Sequence, residues 1–152
     1  MKLRDAIVCG AAGAVTTNAL HELVRRAVPN APRVDLLGMQ ALSKTVTAAG
    51  APAPRGRRLY LLTLAGDLVS NAAYFALVGV AGRSGRRSFA TGAGLGVVAG
   101  LGAVLLPRPL GLAPSTTARS FATALLTVAL YTAGGLAAAA AATVGARSPE
   151  EP

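Results

Sequence analysis

Four long, uninterrupted apolar stretches, at about 6–24, 59–81, 88–106 and 120–144, constrain this chain more than any other feature. A bilayer core takes about 20 helical residues to cross. Within hydrocarbon every backbone N–H and C=O must be bonded internally, which leaves only helices and closed barrels. These stretches are continuous rather than alternating, so they read as helices. The expected fold is an all-α membrane protein, a four-transmembrane-helix bundle in one domain over 1–147, with a disordered tail at 148–152. Basic residues and prolines bound the runs: Arg25, Arg26 and Pro29 after the first, Pro107 after the third, Arg119 before the fourth.

Composition supports this reading. Hydrophobic residues make up 53% and charged residues only 14%, against about 25% charged in soluble domains. Mean hydropathy is +0.52. The net charge of +9 would suit a nucleic acid, but the basic residues are mostly Arg placed between the apolar runs. Three Phe, three Tyr and no Trp leave little to stack on bases. The expected partner is therefore the bilayer, including its anionic headgroups, and not nucleic acid. A homo-oligomer or a larger membrane complex is a further expected association.

The only cysteine, Cys9, excludes an internal disulfide and a multi-cysteine metal site. Eight residues before it are too few for a lipoprotein signal, so it reads as a small buried packing residue. No metal or cofactor is expected. The run from Leu20 to Arg25 reads L-H-E-L-V-R and lacks the second histidine of H-E-x-x-H, and neither a phosphate loop nor a nucleophile elbow is present.

The only long connection joins spans one and two. Within it, residues 34–49 place Val34, Leu37, Ala41, Leu42, Thr45 and Ala48 at helical spacing, which predicts a short amphipathic helix at the membrane interface. Orientation follows from the basic residues. Loops one and three carry Arg25, Arg26, Arg33, Lys44, Arg55, Arg57, Arg58, Arg108 and Arg119; the other side carries Lys2, Arg4, Arg83, Arg86, Arg87 and Arg147. Nine against six places loops one and three in the cytoplasm and both termini outside a cell membrane. No single offset superposes the first two spans on the last two.

Small residues are patterned for close packing. Gly92, Gly96 and Gly100 fall at i, i+4, i+8, and Ala6, Gly10 and Ala14 repeat the spacing in span one. In lipid such stripes let helix backbones approach. Span three carries no polar group of note and is expected to be a packing helix.

The other three spans each carry a polar stripe: Asn18, His21 and Glu22; Asp67, Asn71 and Tyr74; and Thr123, Thr127 and Tyr131. Counted from the loop-one end, Asn18 lies about 10 Å and Asp67 about 13 Å along its helix, with Thr127 about 12 Å from Arg119. A pocket between spans one, two and four, opening toward loop one, is the expectation. Hydrogen bonds between membrane helices average about 0.6 kcal/mol, too little to offset an unpaired charge costing about 2.5–3.5 kcal/mol. Asp67 should then be neutral, paired or facing water. Three functions fit: a proton- or cation-coupled carrier or channel, a structural or assembly subunit of a membrane complex, and a membrane-embedded enzyme acting on a lipid-like substrate.

Overall fold

A computed structural model describes residues 3–81 and 85–145, and among them the chain is all-helical with no strand. Five α-helices follow one another: α1 (Leu3–Ala27), α2 (Val34–Ala48), α3 (Gly56–Val80), α4 (Gly85–Leu105) and α5 (Phe121–Gly145). A 3-10 turn, Pro114–Thr116, interrupts the last loop. α1, α3, α4 and α5 are each long and apolar enough to cross a membrane. The tail expected at 148–152 lies outside the described residues.

Helix ends follow local chemistry. α1 closes on Arg25 and Arg26, whose charges suit the negative end of the helix dipole. α4 stops two residues short of Pro107, which has no N–H with which to continue it. α5 opens on Ser120, whose Oγ accepts the Thr123 N–H at 3.1 Å and satisfies one of the free amides of the first turn. The real helices start up to three residues before the apolar runs, because Arg57, Arg58, Arg86 and Arg87 are good helix formers that extend the first turn.

The spanning helices pack in the lateral order α3, α1, α5, α4. Close pairs between Ala6 and Gly79 and between Gly10 and Ala72 make α1 and α3 antiparallel; those between Gly92 and Gly135 and between Gly100 and Val128 do the same for α4 and α5. The fold is thus two tight helix pairs joined along α1 and α5, where Gly134 lies against Thr17.

Gly92, Gly96 and Gly100 are all buried on the α5 side of α4. A Cβ on Gly96 would stand 2.5 Å from Thr132 Cα, and one on Gly100 2.5 Å from Val128 Cα. At Gly92 it would overlap the Gly135 carbonyl. Gly94, on the opposite face, has nothing within 4 Å of that position. Cys9 is buried at 1% exposure in a core with Phe75, Val78, Ala138, Ala139 and Ala142. Outside, Ile7, Val15, Val69, Val98 and Leu125 are each exposed by more than 55%. Soluble monomers rarely show that much apolar surface; a bilayer accepts it.

Loops one and three lie at one end and are laced together. Arg33 N–H donates to Thr116 O at 2.6 Å, and Ala113 N–H donates to Gln40 Oε1 at 2.9 Å. Asn30 sits at φ 61°, a left-handed conformation that asparagine tolerates. Its backbone oxygen accepts from Thr123 Oγ1 at 3.2 Å, and its side-chain oxygen from Arg119 at 3.1 Å. α2 forms where the spacing predicts. It has no fully buried residue and packs along α3, with Gly38 against Thr63 and Asp67.

Candidate functional site

A cavity of about 150 Å³ lies between α1, α3 and α5, covered by the start of α2. α1 contributes Thr17, Asn18, His21, Glu22 and Arg25, all linked by i, i+3 or i, i+4 steps that keep one helical face turned inward. α3 contributes Tyr60, Thr63, Leu64, Asp67 and Asn71 by the same rule. Val34 and Asp35 come from α2, and Tyr131 from α5.

The charges divide into two groups. At the mouth, Arg25 grips Glu22 with three bonds from two nitrogens at 2.7 to 3.0 Å, and Arg26 adds a fourth at 2.7 Å. Beside them Arg33 makes two bonds to Asp35, at 2.9 and 2.8 Å. Burial alone would raise the Asp35 carboxyl; the Arg33 hydrogen bonds and charge outweigh it and hold the group below the usual carboxylate range. The mouth is thus electrically settled.

Deeper in, Asp67 is not. No described residue makes an ion pair or hydrogen bond with its carboxylate. Both His21 ring nitrogens and Thr63 Oγ1 are buried without a protein partner. Thr17, Thr127 and Thr132 each donate back to the carbonyl four residues earlier, the usual outlet for a helical threonine. Thr63, only 5% exposed, does not. His21 meets the Tyr131 ring edge-on, with centroids 5.4 Å apart. Buried polar groups are nearly always satisfied, so unpaired ones facing a cavity call for solvent or a ligand. Gly38 makes room for them: a Cβ there would stand 2.6 Å from Thr63 Cγ2 and 3.3 Å from Asp67 Oδ2.

Of the residues expected to line a pocket, Asn18, His21, Glu22, Asp67, Asn71 and Tyr131 come together in this cavity. Tyr74 and Thr127 do not. Tyr74 turns to α4 and donates to Leu95 O at 3.0 Å. Thr127, fully buried, gives its hydroxyl to Thr117 O and Thr123 O, both at 2.9 Å, and so ties α5 to the last loop. Each hydroxyl found a backbone acceptor on a neighbour that single-helix spacing could not reveal. The spacing also passed over Tyr60 and Thr63, although Tyr60, Thr63 and Asp67 run i, i+3, i+7 on one face. Asp35 carried no comparable signal, because only the fold of loop one brings it to the mouth. α4 contributes nothing to the cavity.

Among the described residues, no three His, Cys, Asp or Glu side chains gather as a metal site. The fold defines the class of the protein no further than an all-helical chain with four helices compatible with membrane spans. Comparison with known proteins finds no matching family model, no similar curated protein and no similar solved structure.

Proposed function

We propose that the protein is a multi-pass cell-membrane protein that works as a proton- or cation-coupled carrier, with its cargo held in the cavity between α1, α3 and α5. One observation carries this reading: the Asp67 carboxylate stands in the cavity between the candidate spans with no partner among the described residues. Helix glue would have paired it, since an uncompensated charge at membrane depth costs about 2.5–3.5 kcal/mol. A carboxylate that no protein group holds is free to exchange a proton or a cation. Glu22 takes no such part. Its bonds to Arg25 and Arg26 make it an anchor of the mouth.

Closure on the far side favours a carrier over an open channel. Beyond Asn71 and Tyr131 along their helices, Cys9, Phe75, Val78 and Ala138 pack the interior. The first half of α2 covers the site, with Val34 and Asp35 in its wall and Gly38 on Asp67. The nine basic residues of loops one and three face the cytoplasm and its anionic headgroups, so the mouth opens inward.

The test is proton flux in vesicles reconstituted with the purified chain and loaded with a pH dye. Asp67→Asn keeps shape but cannot carry a charge, and it should abolish flux while leaving the detergent melting temperature at or above wild type. Undiminished flux in Asp67→Asn would refute the proposal.

A further inference from the structure

The cavity also points to the kind of cargo, an inference that rests on the carrier reading above. Its donor set is informative. A hard metal cation takes about six or more oxygens, and membrane carriers supply many of them from unwound backbone. Here α1, α3 and α5 run unbroken past the cavity, so their carbonyls are already bonded within the helices. Only side chains remain: Glu22 and Asp35 are held by arginines and Thr17 bonds its own helix, which leaves the Asp67 carboxylate, Thr63 Oγ1, the His21 nitrogens, the amides of Asn18 and Asn71 and the hydroxyls of Tyr60 and Tyr131. That set has one carboxylate not held by an arginine, two nitrogens that a hard cation does not favour, and no backbone carbonyl. It is a good set for a group that donates two or three hydrogen bonds and carries one positive charge.

Leu64, Val34, Pro32 and the rings of Tyr60 and Tyr131 add apolar wall between these groups, and most of the lining surface is hydrocarbon. Aromatic faces attract cations, and an apolar wall rewards an apolar body. A cavity near 150 Å³ has the size that takes a benzene-sized guest. We infer that the cavity binds a small organic monocation, a primary or secondary amine with an apolar body of about six carbons, its ammonium held between Asp67 and Thr63. Gly38 sits directly over both groups, so the ammonium end lies under α2 and the apolar body against Leu64 and Tyr131.

The experiment is isothermal titration of the full chain in detergent at neutral pH, with protein-free micelles subtracted. Benzylamine is the probe, benzyl alcohol its neutral counterpart, and sodium and potassium chloride the metal controls. Benzylamine should bind at least tenfold more tightly than benzyl alcohol. Asp67→Asn should erase that preference while still binding the alcohol, which shows the variant folded. Thr63→Val, close in shape, should weaken the amine several-fold and leave the alcohol unchanged. Equal affinity for amine and alcohol, or a preference that survives Asp67→Asn, overturns the assignment of cargo while leaving the carrier reading intact. Heat from sodium or potassium with none from benzylamine overturns it in favour of a metal cation. No binding of any probe, with Asp67→Asn more stable than wild type and flux unchanged, removes cargo and carrier together.

Discussion

Substituting alanine at Gly96 and at Gly94 should move stability in opposite directions. The two glycines lie two residues apart in α4, on opposite faces. At Gly96 the added Cβ would stand 2.5 Å from Thr132 Cα and 2.6 Å from Tyr131 O, both backbone atoms of α5. Ordinary contact begins near 3.4 Å, so α4 and α5 must part by about 1 Å. A gap of that order forfeits a quarter to a half of each dispersion contact along the seam. Overpacking of this kind costs about 1–3 kcal/mol, and the upper end applies because no flexible side chain can yield. Alanine returns about 1 kcal/mol of helix propensity, leaving a net loss of about 2 kcal/mol. At Gly94 nothing lies within 4 Å, so only the propensity gain remains and Gly94→Ala should stabilise by up to about 1 kcal/mol. Unfolding in a mixed-detergent titration, followed by far-UV circular dichroism, measures both. If the two variants shift the midpoint equally in either direction, the close seam does not hold the helix pair together.

Three further outcomes can be measured. Thr127→Val preserves shape but leaves the buried Thr117 carbonyl without that donor, so it should cost about 1–3 kcal/mol and speed amide exchange across 106–120 before it affects α1. Asp35→Asn should lower stability at neutral pH by about 1 kcal/mol, because its partner Arg33 is 39% exposed and solvent screens the pair. The Asp35 carboxyl is held low in the fold, so its contribution is present above the ordinary carboxylate range. Wild type and variant should then converge as the pH falls through the lowered folded value, and a gap that persists at such acidity would assign the loss to something other than the charge. A cysteine at Ser43 should react with an impermeant maleimide only from the cytoplasmic side, and native Cys9, 1% exposed, should stay silent; labelling from outside would reverse the orientation.

The length and continuity of the apolar runs were enough to define four helices, since a spanning segment must satisfy its own backbone and that requirement is local. Helical spacing alone also put Asn18, His21 and Glu22 on one face and Asp67 and Asn71 on another, and aligned Gly92, Gly96 and Gly100. Which faces met was a different matter. Packing order decides it, and packing order depends on complementary shapes several helices apart. The chain carries Gly135 opposite Gly92, and Gly10 opposite Ala72, but only the assembled bundle pairs them. For the same reason Tyr74 and Thr127 left the cavity: their hydroxyls met the carbonyls of Leu95 and Thr117, acceptors contributed by other parts of the chain. Asp35 entered it because loop one folds α2 back onto α3, a placement set by hydrogen bonds that join Arg33 and Gln40 to the last loop. The sequence determined the helices and the face each polar group occupies. The tertiary structure decided which of those groups found partners, and left Asp67 without one among the described residues.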